Sequence, residues 1–297
     1  MRGSFLHAAA AMTVAACWPA AAVPQAPTAA QLMALAFPGW RDGARLQPVM
    51  LPEAAAHGAW AGWQAGANRA LAEPGPVLRT DASHLTLIAG LVPADADGKP
   101  ASAHLTPMAL AAYQFEQRGG AWTLAARQGV FALRGFFGTA KLAAVALSNR
   151  QQALAVEYGS CWQGYCGTWM TLYEVEQEKV RREPLVELAL SGININSALD
   201  CARRLQPLIE PPPQDTALHE GQDGAAPGSH DCYAIDSSWR IDHAHGQPGD
   251  LAIHYHGAIS RADAHAAAPV AVDQRQVLRY ESGRYRAVSG VNPVPPI

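Results

Sequence analysis

Tyr113-Gln114-Phe115-Glu116-Gln117-Arg118-Gly119-Gly120-Ala121-Trp122-Thr123-Leu124 sets aromatic and polar residues in alternation on both sides of a paired glycine. Alternation places one set of side chains on one face of an extended chain, and Gly-Gly supplies a turn, so the stretch reads as a β-hairpin. The same pattern recurs. Tyr173-Glu174-Val175 passes through Glu176-Gln177-Glu178-Lys179 to Val180. Tyr233-Ala234-Ile235-Asp236 passes Ser237-Ser238 to Trp239-Arg240-Ile241, and Tyr280-Glu281-Ser282-Gly283 leads into Tyr285-Arg286-Ala287-Val288. The four tyrosines are 60, 60 and 47 residues apart, and near-constant spacing of a supersecondary unit is the mark of a repeat. Lys141–Leu147 and Gln152–Tyr158 add two more expected strands between the first pair, about four per unit. The fold class expected is therefore mainly β, with repeated antiparallel hairpins in a propeller-like or sandwich array and a short helical N-terminal segment.

Period-two alternation supports this over most of the chain from residue 83 onward. It runs through Leu85, Leu87, Ala89 and Leu91, then Leu142, Ala144 and Ala146, then Leu154, Val156 and Tyr158. Thr168–Glu176 and Leu251–Ile259 behave alike. Residues 23–80 read differently. Thr28 suits the cap of a helix carrying Leu32, Leu35 and Phe37 and ended by Pro38-Gly39. Pro52 suits the opening of a second helix bearing Trp60, Trp63 and Leu71, stopped by Pro74-Gly75-Pro76. The expected organisation is residues 1–22 as a signal peptide, 23–80 as a helical segment, and 81–297 as a β-rich domain. A loop at 206–231, rich in Pro, Gly, Asp and Gln, interrupts that domain.

The signal-peptide reading rests on Arg2, the apolar run Phe5 to Cys17, and the small-residue triplet Ala20-Ala21-Ala22. The run is too short to span a bilayer, and the triplet is an A-x-A cleavage site. Cleavage after Ala22 removes Cys17 and leaves Cys161, Cys166, Cys201 and Cys232, an even set in an oxidising compartment. Four cysteines allow three connectivities. The pairs nearest along the chain are Cys161–Cys166 and Cys201–Cys232, and the latter closes a loop worth roughly 3–4 kcal/mol on the chain-entropy model. Val14-Ala15-Ala16-Cys17 also fits a loose lipoprotein box, which makes Cys17 a possible lipid anchor. Localisation is expected to be periplasmic or secreted, with an outer-membrane lipoprotein as the alternative.

Composition excludes several functions. The formal charge of −3 becomes −4 once Arg2 leaves, so there is no basic field for nucleic acid or anionic lipid. No later apolar run reaches membrane-spanning length, and apolar content of 49% is ample for a core. Gly159-Ser160-Cys161-Trp162 and Gln163-Gly164-Tyr165-Cys166-Gly167-Thr168-Trp169 echo the papain-type cysteine protease motif with its parts in the wrong order. That chemistry also needs a helix after the nucleophile to lower the thiol pKa, whereas Thr168–Glu176 alternates as a strand. The better reading is a disulfide-stapled hairpin displaying Trp162 and Tyr165, residue types suited to recognition. Asp95-Ala96-Asp97-Gly98 opens like a calcium loop but has Thr106 where the twelfth-position carboxylate belongs. No nucleophile elbow, His-Glu-x-x-His, phosphate loop or dinucleotide fingerprint occurs.

Two His-x-His pairs, His243/His245 and His254/His256, flank Gly246-Gln247-Pro248-Gly249-Asp250. Imidazoles on one face of a hairpin suit zinc, copper or nickel, and strand register decides whether they meet. If His245 faces Asp250, all four share a face. A slip of one residue instead gathers Trp239, Ile241, Leu251, Ile253 and Tyr255 on one face, and burial at roughly 1.5–3 kcal/mol per large apolar side chain favours that register. The functional expectation is an exported, non-enzymatic binding protein of the bacterial envelope, of inhibitor or immunity type, with another envelope or extracellular protein as partner and no cofactor. The alternatives are an envelope hydrolase or metal-dependent enzyme with a dispersed site, and a lipid-anchored structural component of an envelope assembly.

Overall fold

The computed structural model describes residues 26–41, 43, 46–50, 69–94, 97–100, 103–197, 201–205, 208, 230–242, 246–262 and 268–296. The signal peptide with Cys17, both Trp60 and Trp63, His243 and His245, and nearly all of the 206–231 loop lie outside the described residues. The described chain is mainly β, in two antiparallel sheets. The first sheet holds β1 (Gln47–Met50), β2 (Arg69–Arg79), β3 (His84–Pro93), β4 (Met108–Arg118) and β5 (Ala121–Arg134), side by side in chain order. The second holds β6 (Lys141–Ala146), β7 (Gln152–Trp162), β8 (Tyr165–Val175) and β9 (Val186–Ile193), then β10 (Cys232–Asp242), β11 (Asp250–Ser260), β12 (Val270–Glu281) and β13 (Arg284–Ser289), again in chain order. β6 and β13 form its two edges.

Strands therefore fall as five and eight in two meanders, rather than as four per repeated unit. The hairpins at Tyr113 and Tyr280 form as expected, with Tyr280 opposite Tyr285. After Tyr173 the chain reverses through one isolated bridge, Val175 to Val180, before β9. Tyr233 departs from the expectation. Ser237-Ser238 is no turn but continues β10, opposite Tyr255 and His254. Neither serine is followed by a glycine of the kind that makes the tight turns at Gly164 and Gly283, and the chain reverses only around Gly246, at φ +84°.

Helix α1 (Ala29–Ala36) begins at the expected Thr28, where a capping box forms. The Gln31 N–H donates to Thr28 Oγ1 (3.2 Å) and the Thr28 N–H donates to Gln31 Oε1 (2.8 Å). Leu32, Met33 and Ala36 are buried while Leu35 is exposed. The second helix expected to end at Pro74 is replaced, over its described part, by β2. Pro74 and Val77 mark a bulge there, because a proline has no N–H to give the ladder. A five-residue helix, α2 (Cys201–Leu205), packs against β10 and β11.

Among the described residues the core lies in three large sections and a small fourth one of Cys201, Leu205, Cys232 and Ala258. Between α1 and the first sheet are Leu32, Met33, Phe37, Leu85, Leu87, Leu91, Tyr113 and Phe115. Between the sheets, Leu78, Ile88, Val92, Met108, Leu110 and Phe131 meet Leu154, Val156, Tyr173 and Val175. The other face of the second sheet carries Ala155, Met170, Leu172, Ile235, Leu251, Ile253, Tyr255 and Tyr285. The sheet curls over this third section. Backbone hydrogen bonds from Gly249 to Leu147 and from Tyr285 to Leu185, each 2.8 Å, tie its two halves together. Alternate residues of β3, β4, β7 and β8 thus serve two different cores, which the strict period of two permits. No helix among the described residues is long and apolar enough to cross a membrane.

Candidate functional site

Two tight turns meet at one end of the inter-sheet core. Gln163-Gly164 joins β7 to β8 with φ of 49° and 84°, and Phe137-Gly138 lies between β5 and β6 with φ of 54° and 71°. Positive φ at both central residues is the type I′ requirement, and it suits the twist of the flanking strands. A bulky phenylalanine at positive φ is an outlier that its surroundings must hold in place. Here the Phe137 N–H donates to the His104 carbonyl (3.2 Å) and the Gly138 N–H to the Thr106 carbonyl (2.7 Å). Next to the other turn, Cys161 and Cys166 face each other across the ladder and are joined as a disulfide. Both turns are therefore fixed by covalent or backbone bonds independent of the side chains they display.

Those side chains build one aromatic surface. The His104 imidazole lies roughly parallel to both Trp162 (centroids 5.0 Å, 17°) and Phe136 (5.5 Å, 20°), and it meets Phe137 at 5.0 Å. His104 Nε2 also hydrogen-bonds the Ser160 hydroxyl. Phe136 continues the row to Tyr158 (6.2 Å) and Trp169 (5.9 Å), which stack on each other as a cross-strand pair. Exposure rises toward the tip: Trp162 is 60%, Phe137 44%, Tyr165 37% and neighbouring Leu105 78% exposed. Offset and tilted ring pairs of this kind contribute about 0.5–1.5 kcal/mol each beyond their buried area.

An ion pair borders the surface. Arg134 donates from Nη2 to Glu187 (2.9 Å) and from Nε to Thr171 (3.2 Å), and its guanidinium lies 5.7 Å from the Tyr173 ring centroid. The Tyr158 hydroxyl donates to Glu187 (3.3 Å). Burial, with the Glu187 carboxylate adding to it, holds the Tyr158 phenol above its ordinary pKa. Tyr158 is therefore a neutral hydrogen-bonding group at physiological pH.

Trp162 and Tyr165, singled out from the sequence, sit directly opposite each other at the hairpin tip. Sequence reasoning missed His104, Phe136 and Phe137. The one local signal was Phe136-Phe137-Gly138 between two alternating segments, an aromatic pair at a glycine turn. Both cysteines of the protease-like stretch are bonded to each other, Cys161 within β7 and Cys166 within β8, so the site offers neither a thiolate nor a helix to activate one.

The histidine hairpin adopts the register in which Ile241 faces Leu251, Trp239 faces Ile253 and Ser237 faces Tyr255. His254 and His256 take the opposite face, where their ring centroids are 6.1 Å apart. His254 Nε2 is engaged by Asp273 at 2.6 Å. His243 and His245 lie outside the described residues. Cys201 and Cys232 form the second disulfide, which joins the start of α2 to the start of β10. Two disulfides indicate an oxidising, extracytoplasmic location. No protein-family model, curated protein or solved structure matches this chain.

Proposed function

We propose that the chain is an exported, non-enzymatic binding protein of the bacterial envelope that engages another extracytoplasmic protein through the Trp162–Tyr165–Phe137 surface. The observation that carries this reading is the exposure of three large aromatic side chains on two turns that are fixed before any partner arrives. Rigid aromatic anchors contribute contact area with little ordering cost, and Trp and Tyr dominate interface hot spots. The exposed part is uncharged, and the Arg134–Glu187 pair lies at its border, the polar-rim arrangement of protein interfaces. An inhibitor or immunity-type protein works in this way, by occupying a partner rather than transforming it. Removal of the signal segment gives a periplasmic or secreted product, and acylation of Cys17 gives an outer-membrane one.

The test is affinity capture from the native envelope with the wild-type chain and a Trp162→Ala/Tyr165→Ala/Phe137→Ala variant, with folding checked by circular dichroism. A stoichiometric protein captured by the first and lost by the second supports the reading. A partner retained by the folded triple variant overturns the choice of surface.

A further inference from the structure

A second constellation lies where α2 meets β10 and β11. Cys201 and Cys232 are fully buried, and partly exposed His230 places Nε2 3.4 Å from Cys201 Sγ. The three donor atoms, two sulfurs and one imidazole nitrogen, all lie within 4.8 Å of one another. The backbone that carries them is held by bonds other than the disulfide. Arg204 donates to the His230 carbonyl (3.1 Å), the Ser260 hydroxyl (3.0 Å) and the Ser260 and Arg261 carbonyls (3.1 and 2.6 Å). Asn194 donates from its side-chain amide to the Asp231 carbonyl (2.8 Å) and accepts from the Tyr233 N–H (2.7 Å), gripping both sides of Cys232.

We propose that reduction of the Cys201–Cys232 bond turns this place into a zinc site, with Cys201 Sγ, Cys232 Sγ and His230 Nε2 as ligands and water in the fourth position. A compartmental dithiol reduces the bond, becoming a disulfide as the protein gains two thiols. Zn²⁺ then displaces both thiol protons, leaving a zinc dithiolate and two H⁺ in solution. Geometry supports this. Tetrahedral zinc with Zn–S of about 2.3 Å and Zn–N of about 2.05 Å needs its sulfur and nitrogen about 3.6 Å apart and its two sulfurs about 3.8 Å apart. His230 is already within a few tenths of an ångström of that distance from Cys201, and breaking the S–S bond lets the sulfurs separate. Two thiolates and Zn²⁺ are neutral together, so the bound metal adds no net charge beside the buried Leu205 and Ala258. Thiolate and imidazole donors select zinc over the hard cations calcium and magnesium. The partly exposed imidazole gives the metal a way in.

The experiment uses the mature chain, reduced anaerobically with a phosphine, which leaves as its oxide after taking oxygen from water. Zinc uptake is measured by equilibrium dialysis, and Tm is recorded with and without zinc. The expected result is one zinc per reduced chain and a zinc-dependent rise in Tm, both preserved in Cys161→Ser/Cys166→Ser. Both are absent in Cys201→Ser/Cys232→Ser, and affinity falls at least about tenfold in His230→Ala. Uptake by the reduced wild type no greater than in Cys201→Ser/Cys232→Ser overturns the proposal. So does undiminished affinity in His230→Ala, or loss of uptake in Cys161→Ser/Cys166→Ser.

Discussion

Gly164 and Gly246 share one φ, +84°, and differ in what surrounds them. A Cβ built on Gly246 meets no atom of the described residues within 4 Å. A Cβ on Gly164 falls 2.4 Å from the Asn196 carbonyl oxygen and 2.6 Å from the Ser197 nitrogen. Those are backbone atoms, which cannot swing aside as a side-chain end can. Alanine at either place incurs the left-handed penalty of an L-residue, about 1–2 kcal/mol. At Gly164 it also forces the hairpin tip off the 194–197 turn, an overpacking cost of about 1–3 kcal/mol. Gly246→Ala should therefore destabilise by about 1–2 kcal/mol and Gly164→Ala by about 2–5 kcal/mol. Urea unfolding of both variants at constant m measures the difference, and melting should follow at about 2–4 °C per kcal/mol. Near-UV circular dichroism should change only for Gly164→Ala, because Trp162 and Tyr165 flank that turn. Equal losses of stability in the two variants would refute the claim that the β7–β8 tip is seated on the Asn196 backbone.

Trp162 is 60% exposed, so Trp162→Ala, which removes its stacking on His104 and the buried part of the ring, should cost less than the roughly 3–5 kcal/mol of a fully buried tryptophan; a loss in that range in thermal melts contradicts the reading of Trp162 as a display residue. Tyr173 is fully buried and its hydroxyl has no hydrogen-bond partner among the described residues, so Tyr173→Phe should leave stability unchanged or improve it by up to about 1 kcal/mol in urea titration; a marked loss would reveal a partner for that oxygen. Breaking Cys201–Cys232, with cysteines 31 apart, should destabilise by about 4 kcal/mol, and breaking Cys161–Cys166, with cysteines 5 apart, by about 2 kcal/mol; the reverse order in double-serine variants would count against a loop-entropy origin. Asp81 accepts from the Ser83 N–H and hydroxyl and pairs with His84, and the backbone N–H leads in holding its carboxyl down at about 2. A depressed carboxylate pKa adds stability above its ordinary value near 3.8 that is lost as pH falls through about 2; a carboxyl NMR titration with its midpoint near 3.8 would show that the Asp81 turn does not persist in solution.

Much of the fold was legible because alternation is a strong signal. Leu85, Leu87, Ala89 and Leu91 all enter the core beneath α1, while Leu154 and Val156 enter the core between the sheets. Alternation cannot say which strands share a sheet, so evenly spaced tyrosines suggested units of four where the chain lays down five and then eight. It also falls silent where every residue of a run is apolar. Ala70, Leu71 and Ala72 are consecutive, apolar and buried in β2, and such a run carries no period to separate strand from helix. Ser237-Ser238 misled for a related reason: polar residues between apolar flanks resemble a turn, yet the alternation of Ile235, Ser237, Trp239 and Ile241 passes through them unbroken.

The candidate site shows the same division between local and distant information. Trp162 and Tyr165 stand beside Gln163-Gly164, a turn whose glycine is visible in sequence, so their display could be argued locally. His104 is 58 residues from the tryptophan it stacks on, and no spacing rule connects them. Topology brings them together. The face of β7 that packs Leu154 and Val156 against the first sheet continues through Tyr158 and Ser160 to Trp162. There it meets the segment entering β4 and the turn leaving β5, where the chain crosses from one sheet to the other. A crossing of this kind ends the apolar cover that one sheet gives the other, so side chains large enough to fill the gap remain partly in water. Aromatic residues supplied from three separate segments, His104, Phe136 with Phe137, and Trp162, therefore form a surface that belongs to the junction of the sheets. The backbone of each turn is held by its own bonds, and the stacking of His104 on Trp162 sets the orientation of the ring that the β7–β8 hairpin carries.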